Sequence, residues 1–420
     1  MKQEASTALV PKLRFREFRG AALWSVLLGD VTEECRRRNG NKHSAALVMG
    51  VTKADGIVPM ESRLIASDIA RYKIVETDCF AYNPMRLNIG SIARWEGERE
   101  ILVSPDYVVF KCITNNESGC DPGYLDQFRK TKAWEEFVTE GGDGSVRVRI
   151  YYKDIARICL SLPPLHEQQK VADCLSSLDE LIAVQAQKLE ALKAHKKGLM
   201  QQLFPREGET QPRLRFPEFQ DSGEWQVKRV DEHGTVLAGK ALAVNAPGPL
   251  RPYLRTKNVL DGLIDLSDVL KMPMTDAEFS RFEILDGDVL LNEGQSLELV
   301  GRASIYRGEF RERCAMQNQL LRFRAFPAAC AEFAAQYFRK CQKDGTFANV
   351  ATKTTSVAHL GSSRFSALEL AWPSLPEQQR IASCLSSLDA LITAETQKLE
   401  ALKTHKKGLM QQLFPPLEAI

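Results

Sequence analysis

Six arginines fall within 23 residues of the second half of the chain: Arg302, Arg307, Arg311, Arg313, Arg322 and Arg324. Arg36-Arg37-Arg38 is a second focus near the start. A guanidinium is a planar fork of donors that fits a phosphate or the O6/N7 edge of guanine, and Asn or Gln fits the N6/N7 edge of adenine. On that chemistry the candidate nucleic-acid contacts are Arg36, Arg37, Arg38, Arg86, Arg94, Lys111, Arg255, Lys257, Asn258, Arg302, Gln317, Asn318, Arg322 and Arg324. Bulk charge does not support them. The chain holds 56 Lys+Arg against 54 Asp+Glu, a net +2, so it is neither a polybasic arm nor an acidic tail. Taken alone, arginine clusters on so balanced a chain are most often solvated surface.

Catalytic chemistry is scarce. There is no phosphate loop of the G-x-x-x-x-G-K-[ST] type, no E-x-K or D-x-K tripeptide and no G-x-S-x-G elbow. Asn83-Pro84-Met85 has only part of an adenine methyltransferase motif and reads as a turn. Of six scattered histidines, His195 and His405 occupy matching places in a repeat, which marks them as surface positions. Ten cysteines show no C-x-x-C pair and no zinc spacing, so free thiols and no metal are expected. The apolar run Ala21–Leu28, broken by Ser25, is far short of the roughly 20 residues of a membrane helix. Met1-Lys2-Gln3-Glu4 opens no signal core, so a cytoplasmic protein is expected. At 420 residues, 44% hydrophobic and 26% charged, the composition is globular and the length calls for two or more compact units.

What must position the arginines is a duplication. Pro163–Pro205 and Pro373–Pro415 are identical at 32 of 43 positions. Each is preceded by a matching head, Pro11-Lys-Leu-Arg-Phe-Arg-Glu-Phe18 and Pro212-Arg-Leu-Arg-Phe-Pro-Glu-Phe219. In the repeat, Val171, Leu175, Leu178, Ile182, Gln185, Leu189, Leu192, Lys196, Leu199 and Leu203 step by 4, 3, 4, 3, and the second copy steps through Ile381, Leu385, Leu388, Ile392, Glu395, Leu399, Leu402, Lys406, Leu409 and Leu413. A 3.5-residue period held this long predicts supercoiled helices, with the polar seam residues fixing register. Prolines bound both segments. The chain returns through its second half between the two copies, which favours an antiparallel pair.

The segments between are mixed. Ile101–Phe110, Val146–Tyr151 and Val289–Leu291 read as strands, and Glu332–Lys340 as a short amphipathic helix. The two middles resist alignment by eye. Equal scaffolds with unequal middles suggest one job done twice, such as holding two copies of a partner, and two different jobs of one kind, such as reading two targets. The partition is 1–23 head, 24–161 first middle, 162–206 helix, 207–224 second head, 225–371 second middle and 372–416 helix.

This order resembles the specificity subunit of type I DNA restriction–modification enzymes. The likeness rests on Pro163-Pro-Leu-His-Glu-Gln-Gln169 and Pro373-Ser-Leu-Pro-Glu-Gln-Gln379, each leading into Leu-Ser-Ser-Leu-Asp and ending in Lys-Lys-Gly-Leu-Met. Asp78–Arg86, Ser104–Tyr107, Pro252–Asn258, Gly287–Asn292 and Val300–Arg302 resemble parts of target recognition domains. The resemblance implies an α+β fold with pseudo-twofold duplication: two mixed α/β target recognition domains separated by a pair of long antiparallel coiled-coil helices. It implies that each middle reads one half of a bipartite, asymmetric double-stranded DNA target, while the helices set the spacer. It implies docking of two methyltransferase subunits, and of two restriction/translocase subunits through them. The docking and coil candidates are Glu167, Gln168, Gln169, Leu175, Leu178, Ile182, Leu189, Leu192, Glu377, Gln378, Gln379, Leu385, Leu388, Ile392, Leu399 and Leu402. The chain itself would be non-catalytic, with S-adenosylmethionine, ATP and Mg²⁺ on partner subunits. His166 stands where the second copy has Pro376, which would make the two docking surfaces unequal. Membership of a methylation-only complex, or a coiled-coil scaffold whose middles bind proteins, are the alternatives.

Overall fold

A computed structural model describes residues 10–115, 118–140, 149–241, 243, 246–354 and 357–415. Residues 1–4 and 146–148, both read above, lie outside the described residues. The repeated segments are helices Leu165–Leu203 and Leu375–Leu413, 39 residues each, or about 58 Å at 1.5 Å per residue. They start earlier than the 3.5-residue seam, because the Glu-Gln-Gln motif forms their first turn. Pro376 is tolerated there, since first-turn amides have no intrahelical acceptor.

The chain divides into two compact units, Met1–Ala186 with Gln397–Ile420, and Gln187–Thr396. Each unit therefore contains the first half of one long helix and the second half of the other. In the second unit, Lys188 bonds to Glu395 and Lys196 to Asp389 (2.6 Å), so numbers rise along one helix as they fall along its neighbour. The pairing is antiparallel. In the first unit Lys406 bonds to Asp179 at 2.5 Å, the repeat-equivalent contact. The seam is buried in both copies at Leu175, Leu385, Leu189 and Leu399, and also at Gln185, Glu395, Lys196 and Lys406. Leu178, Ile182, Leu192, Leu388, Ile392 and Leu402 are half-buried.

Each unit carries an antiparallel four-stranded sheet in the same order. In the first it runs Thr32–Glu34, Val108–Cys112, Phe80–Tyr82, Ile92–Arg94. In the second it runs Gly234–Ala238, Leu320–Ala325, Val289–Asn292, Ala303–Ile305. A further strand pair ties the ends of each middle together, Trp24–Leu27 with Cys159–Leu162 and Gln226–Arg229 with Glu369–Trp372. The single strand expected at Ile101–Phe110 is two, Ile101–Val103 and Val108–Cys112. Pro105 has no amide to donate, and Tyr107 N–H closes a turn on the Ser104 carbonyl at 3.0 Å. The strand expected through Tyr151 is absent there, where Tyr151 precedes the short helix Tyr152–Ile155.

Both sheets are joined to the long helices by a shorter one, Pro122–Phe128 in the first unit and Ala331–Lys343 in the second. Tyr124 and Phe128 pack on Phe414 with ring centroids 4.9 and 5.7 Å away. Phe333 and Tyr337 pack on Phe204 at 5.3 and 4.8 Å. The Phe-Pro that stops each long helix thus also plugs a core, and burial of such rings contributes about 1.5–3 kcal/mol each. Among the described residues no helix is long and apolar enough to cross a membrane.

Candidate nucleic-acid interface

The Glu-Gln-Gln motif is not the open docking face the sequence suggested. Glu167 and Gln168 are 2% and 1% exposed, Glu377 and Gln378 1% each. Arg14 Nε donates to Glu167 Oε1 at 2.8 Å and its NH2 to Oε2, while NH1 donates to the Ala21 carbonyl. Arg215 repeats this on Glu377 at 2.9 and 2.6 Å and on the Ser222 carbonyl at 2.9 Å. The Glu167 carboxylate in turn holds the Arg14 guanidinium above its usual range, against the opposing cost of burial. Gln168 donates to the Pro163 and Gly119 carbonyls and accepts the Asp121 amide at 2.8 Å. Gln378 donates to the Pro373 carbonyl and accepts the Cys330 amide at 3.0 Å. Asp121 and Cys330 are the N-caps of the two shorter helices. The motif therefore clamps head, long helix and recognition layer together, and as a docking surface Glu167, Gln168, Glu377 and Gln378 are corrected to internal fasteners. Gln169 and Gln379 are exposed, as are His166 and Pro376.

A second fastener was invisible in the sequence. Gln127 donates to Asp179 at 3.1 Å and Gln336 to Asp389 at 2.8 Å. Each aspartate also takes its seam lysine, and Arg339 adds a bond to Asp389 at 3.2 Å. Burial alone would raise the Asp389 carboxyl, but Arg339 and Lys196 hold it below its usual range. Asp179 is also lowered, with burial opposed by Lys406 and Gln127. The seam lysines move the other way: burial depresses Lys196 and Lys406 despite their aspartates.

The candidate DNA contacts sort into three groups. Some are exposed cations with a carboxylate partner. Arg36 pairs with Glu34 (2.6 Å), Lys111 with Glu33 (2.6 Å), and Arg37 with Glu76 (2.6 Å) and Glu100. The half-buried Arg255 and the exposed Lys257 share Asp268 at 2.6 and 2.8 Å. Arg94, less exposed, pairs with Asp78 at 2.9 Å and with Glu96. Such surface pairs are worth about 0–1 kcal/mol, so a phosphate displaces them cheaply. Glu100 also accepts from Lys42 and from His43 Nε2; these contacts, led by Arg37, bring its carboxyl down to about 2.

A second group is committed internally. Asn258 is 1% exposed and donates to the Asp265 and Asp268 carbonyls while accepting the Arg255 amide. Arg322 is 7% exposed and donates to the Glu283 carbonyl at 2.6 Å. Arg324 grips the buried Asp288 through two bonds of 2.6 and 2.7 Å. Freeing any of these strands a buried polar partner at about 1–3 kcal/mol or more. Asn258 and Arg322 are therefore corrected to framework residues, while Arg324, its side chain 36% exposed, both braces Asp288 and reaches the surface.

The third group has no ion pair among the described residues: the exposed Arg86 and the half-buried Arg302. Arg38 donates to the Arg71 carbonyl. Gln317 and Asn318 are half-buried on the turn entering Leu320–Ala325, their amides bonded to the Leu254 and Lys240 carbonyls. Asn83-Pro84-Met85 is the expected turn, with Asn83 Oδ1 accepting the Met85 amide. No two of the ten cysteines form a disulfide, and no group of His, Cys, Asp and Glu among the described residues could hold a metal.

Known proteins agree with this architecture. The S subunit of a type I restriction–modification system from M. genitalium superposes with a TM-score of 0.60 over 97% of this chain and 99% of its own, at 11% identity, a likeness of fold. A Methanocaldococcus jannaschii sequence, the provisional type I restriction enzyme MjaX specificity subunit, is 24% identical over 46% of this chain but only 45% of its own length. The type I restriction enzyme MjaVIII specificity subunit of the same organism is 24% identical over 68% of both chains. Residues 109–194 and 222–404, more than half of the sequence, match the type I restriction modification DNA specificity domain, and the chain belongs to that family.

Proposed function

We propose that this chain is the DNA sequence-specificity subunit of a type I restriction–modification complex. Residues 24–161 and 225–371 are its two recognition domains, each reading one half of a split, asymmetric target in double-stranded DNA. The observation that carries the reading is the paired construction. Two units repeat one sheet order and one set of helix fasteners, Arg14–Glu167 with Gln127–Asp179 and Arg215–Glu377 with Gln336–Asp389. The residues on their surfaces differ: Arg37 of one pairs with Glu76 and Glu100, while Arg255 and Lys257 of the other share Asp268. Equal frames and unequal surfaces suit two readings of one kind.

The long helices set the unread spacer and, through their exposed faces, dock two methyltransferase subunits, which carry two restriction/translocase subunits. Gln169 and Gln379 lie on that exposed side of the first turn. The chain performs no chemistry alone. S-adenosylmethionine, ATP and Mg²⁺ belong to the partners, and the target adenines are flipped into the methyltransferase pockets. The complex works in the cytoplasm.

The test is methylome sequencing of a host carrying this chain with its methyltransferase, against a host carrying the methyltransferase alone. A split motif with methyladenine in both halves is expected only with the chain. A methyltransferase that co-purifies with the chain yet marks no chain-dependent motif overturns the proposal.

A further inference from the structure

The loop of the Phe80–Tyr82/Ile92–Arg94 hairpin has a counterpart between Val289–Asn292 and Ala303–Ile305. Both are tight. In the first, Arg86 N–H bonds to the Asn83 carbonyl (2.9 Å), Gly90 N–H to Leu87 (2.9 Å) and Ser91 N–H to Arg86 (3.0 Å). In the second, Leu299 and Val300 N–H both bond to the Ser296 carbonyl at 2.9 Å, and Arg302 N–H to Leu299 at 3.1 Å. Each leaves through a glycine of positive φ, Gly90 at 89° and Gly301 at 76°. Each is pinned by one buried apolar side chain, Leu87 at 0% and Val300 at 1% exposure. Yet each holds two others in solvent: Met85 (52%) and Ile89 (55%), Leu297 (41%) and Leu299 (38%).

Single exposed apolar side chains need no explanation, but two recurring at matched places in two hydrogen-bonded loops mark a contact surface. The charge beside them indicates which. Arg86 sits between Met85 and Ile89, and the stem of Lys53 lies against Gly90. Neither cation has an ion pair among the described residues, unlike Arg36, Arg37, Arg94 and Lys111. Arg302 follows the second loop and also lacks one among the described residues. Unneutralised cations flanking apolar tips suit a polyanion whose interior is apolar: phosphates outside, base edges and thymine methyls within.

We propose that these matched loops are base-contacting elements, Met85 and Ile89 placing apolar surface against bases of one half-site and Leu297 and Leu299 against bases of the other. This rests on the DNA-specificity reading above and adds side chains that charge could not reveal. The test is selection from a pool of randomised DNA duplexes by the full chain, comparing wild type with Met85→Ser/Ile89→Ser and with Leu297→Ser/Leu299→Ser. All four side chains are exposed, and circular dichroism checks that the variants fold. Wild type should enrich a split motif. Each variant should lose base preference in one half only, a different half for each. Affinity for the wild-type motif should fall about tenfold or more, the scale of a lost base contact. The salt dependence should be unchanged, because no phosphate contact is removed. Folded variants that enrich the wild-type motif at wild-type affinity overturn the inference, as do variants that lose methyltransferase capture instead. A wild type that enriches no motif removes the DNA reading itself and this inference with it.

Discussion

Removing Arg14 tests whether the head is a structural clamp. The Arg14 and Glu167 side chains are 6% and 3% exposed, and the guanidinium makes two bonds to the carboxylate and one to the Ala21 carbonyl. Arg14→Ala leaves a buried carboxylate without its cation, which costs about 3–5 kcal/mol. Arg215→Ala leaves Glu377 one donor, Trp225 Nε1 at 3.2 Å. That remaining hydrogen bond is worth about 1 kcal/mol, so the second loss should be about 2–4 kcal/mol. Each head supplies its own reporter: the Leu13 amide donates to the Gln412 carbonyl at 2.9 Å, and the Leu214 amide to Gln202 at 3.0 Å. Native-state hydrogen exchange reads the local opening. At a factor of ten per 1.4 kcal/mol, Leu13 should lose about two decades of protection or more in Arg14→Ala with Leu214 unchanged, and Leu214 should lose about one and a half to three decades in Arg215→Ala with Leu13 unchanged. The double change Arg14→Met/Glu167→Met should restore most of the protection, because it removes the stranded charge. Protection of Leu13 within about threefold of wild type in Arg14→Ala would refute the clamp.

The seam should respond differently. Asp389 keeps Arg339 and Asp179 keeps Lys130 when the lysines go, so Lys196→Met and Lys406→Met should each lie within about 1 kcal/mol of wild type in urea unfolding. Because a polar seam residue selects register, the double variant should methylate sites of more than one spacer length, readable by methylome sequencing. Seven residues inserted after both Ala186 and Thr396 keep the heptad and add about 10 Å, or about 3 base pairs, to the preferred spacer; an unchanged spacer would defeat the ruler. Acid should loosen both units. Asp179, Asp389 and Glu100 are depressed in the folded chain, so the stability they give is present above the unfolded carboxylate values of about 4 and is lost as pH falls through the folded ones. Carbon-13 titration should find Glu100 near 2, and Arg37→Ala should raise it.

The long helices were legible because a 3.5-residue apolar period is a local property that each turn repeats. Their antiparallel sense was legible from chain return. The common frame of the middles was not, because it is carried by pairs distant in sequence. Gln127 and Gln336 do the same work on Asp179 and Asp389, yet neither carries a signal apart from its partner. Tyr124 and Phe128 match Phe333 and Tyr337 only through the Phe-Pro helix stops they cover. The arginine cluster misled for the opposite reason. A run of cations in sequence says nothing about which carboxylate or carbonyl each meets: Arg322 meets the Glu283 carbonyl inside the fold, and Arg324 grips the buried Asp288. The exposure of Met85, Ile89, Leu297 and Leu299 was not legible, because residue type alone argues for burial.

Antiparallel pairing also explains why the helices are nearly identical while the middles are not. The seam of the first unit joins the front of the first helix to the back of the second, and the seam of the second unit joins the other two halves. Each lysine–aspartate pair therefore takes its lysine from one copy and its aspartate from the other. Two copies that drifted apart would have to stay complementary at every seam position in both units at once, and identity meets that demand directly. A middle answers to fewer constraints. It must offer a glutamine to the seam aspartate, an N-cap amide to the motif glutamine and aromatic rings to the helix stop, and it does so through one short helix in each unit. Loops outside that helix and the core packed on the coil are free to change without disturbing it. Exchanging residues 24–161 for those of a relative that keeps a glutamine and two aromatics at the positions of Gln127, Tyr124 and Phe128 should therefore replace one half of the methylated motif and leave the other half and the spacer intact. A relative lacking that glutamine and those rings should fold poorly on the same helices, and a hybrid that folds with an unchanged motif would break the division between frame and reader.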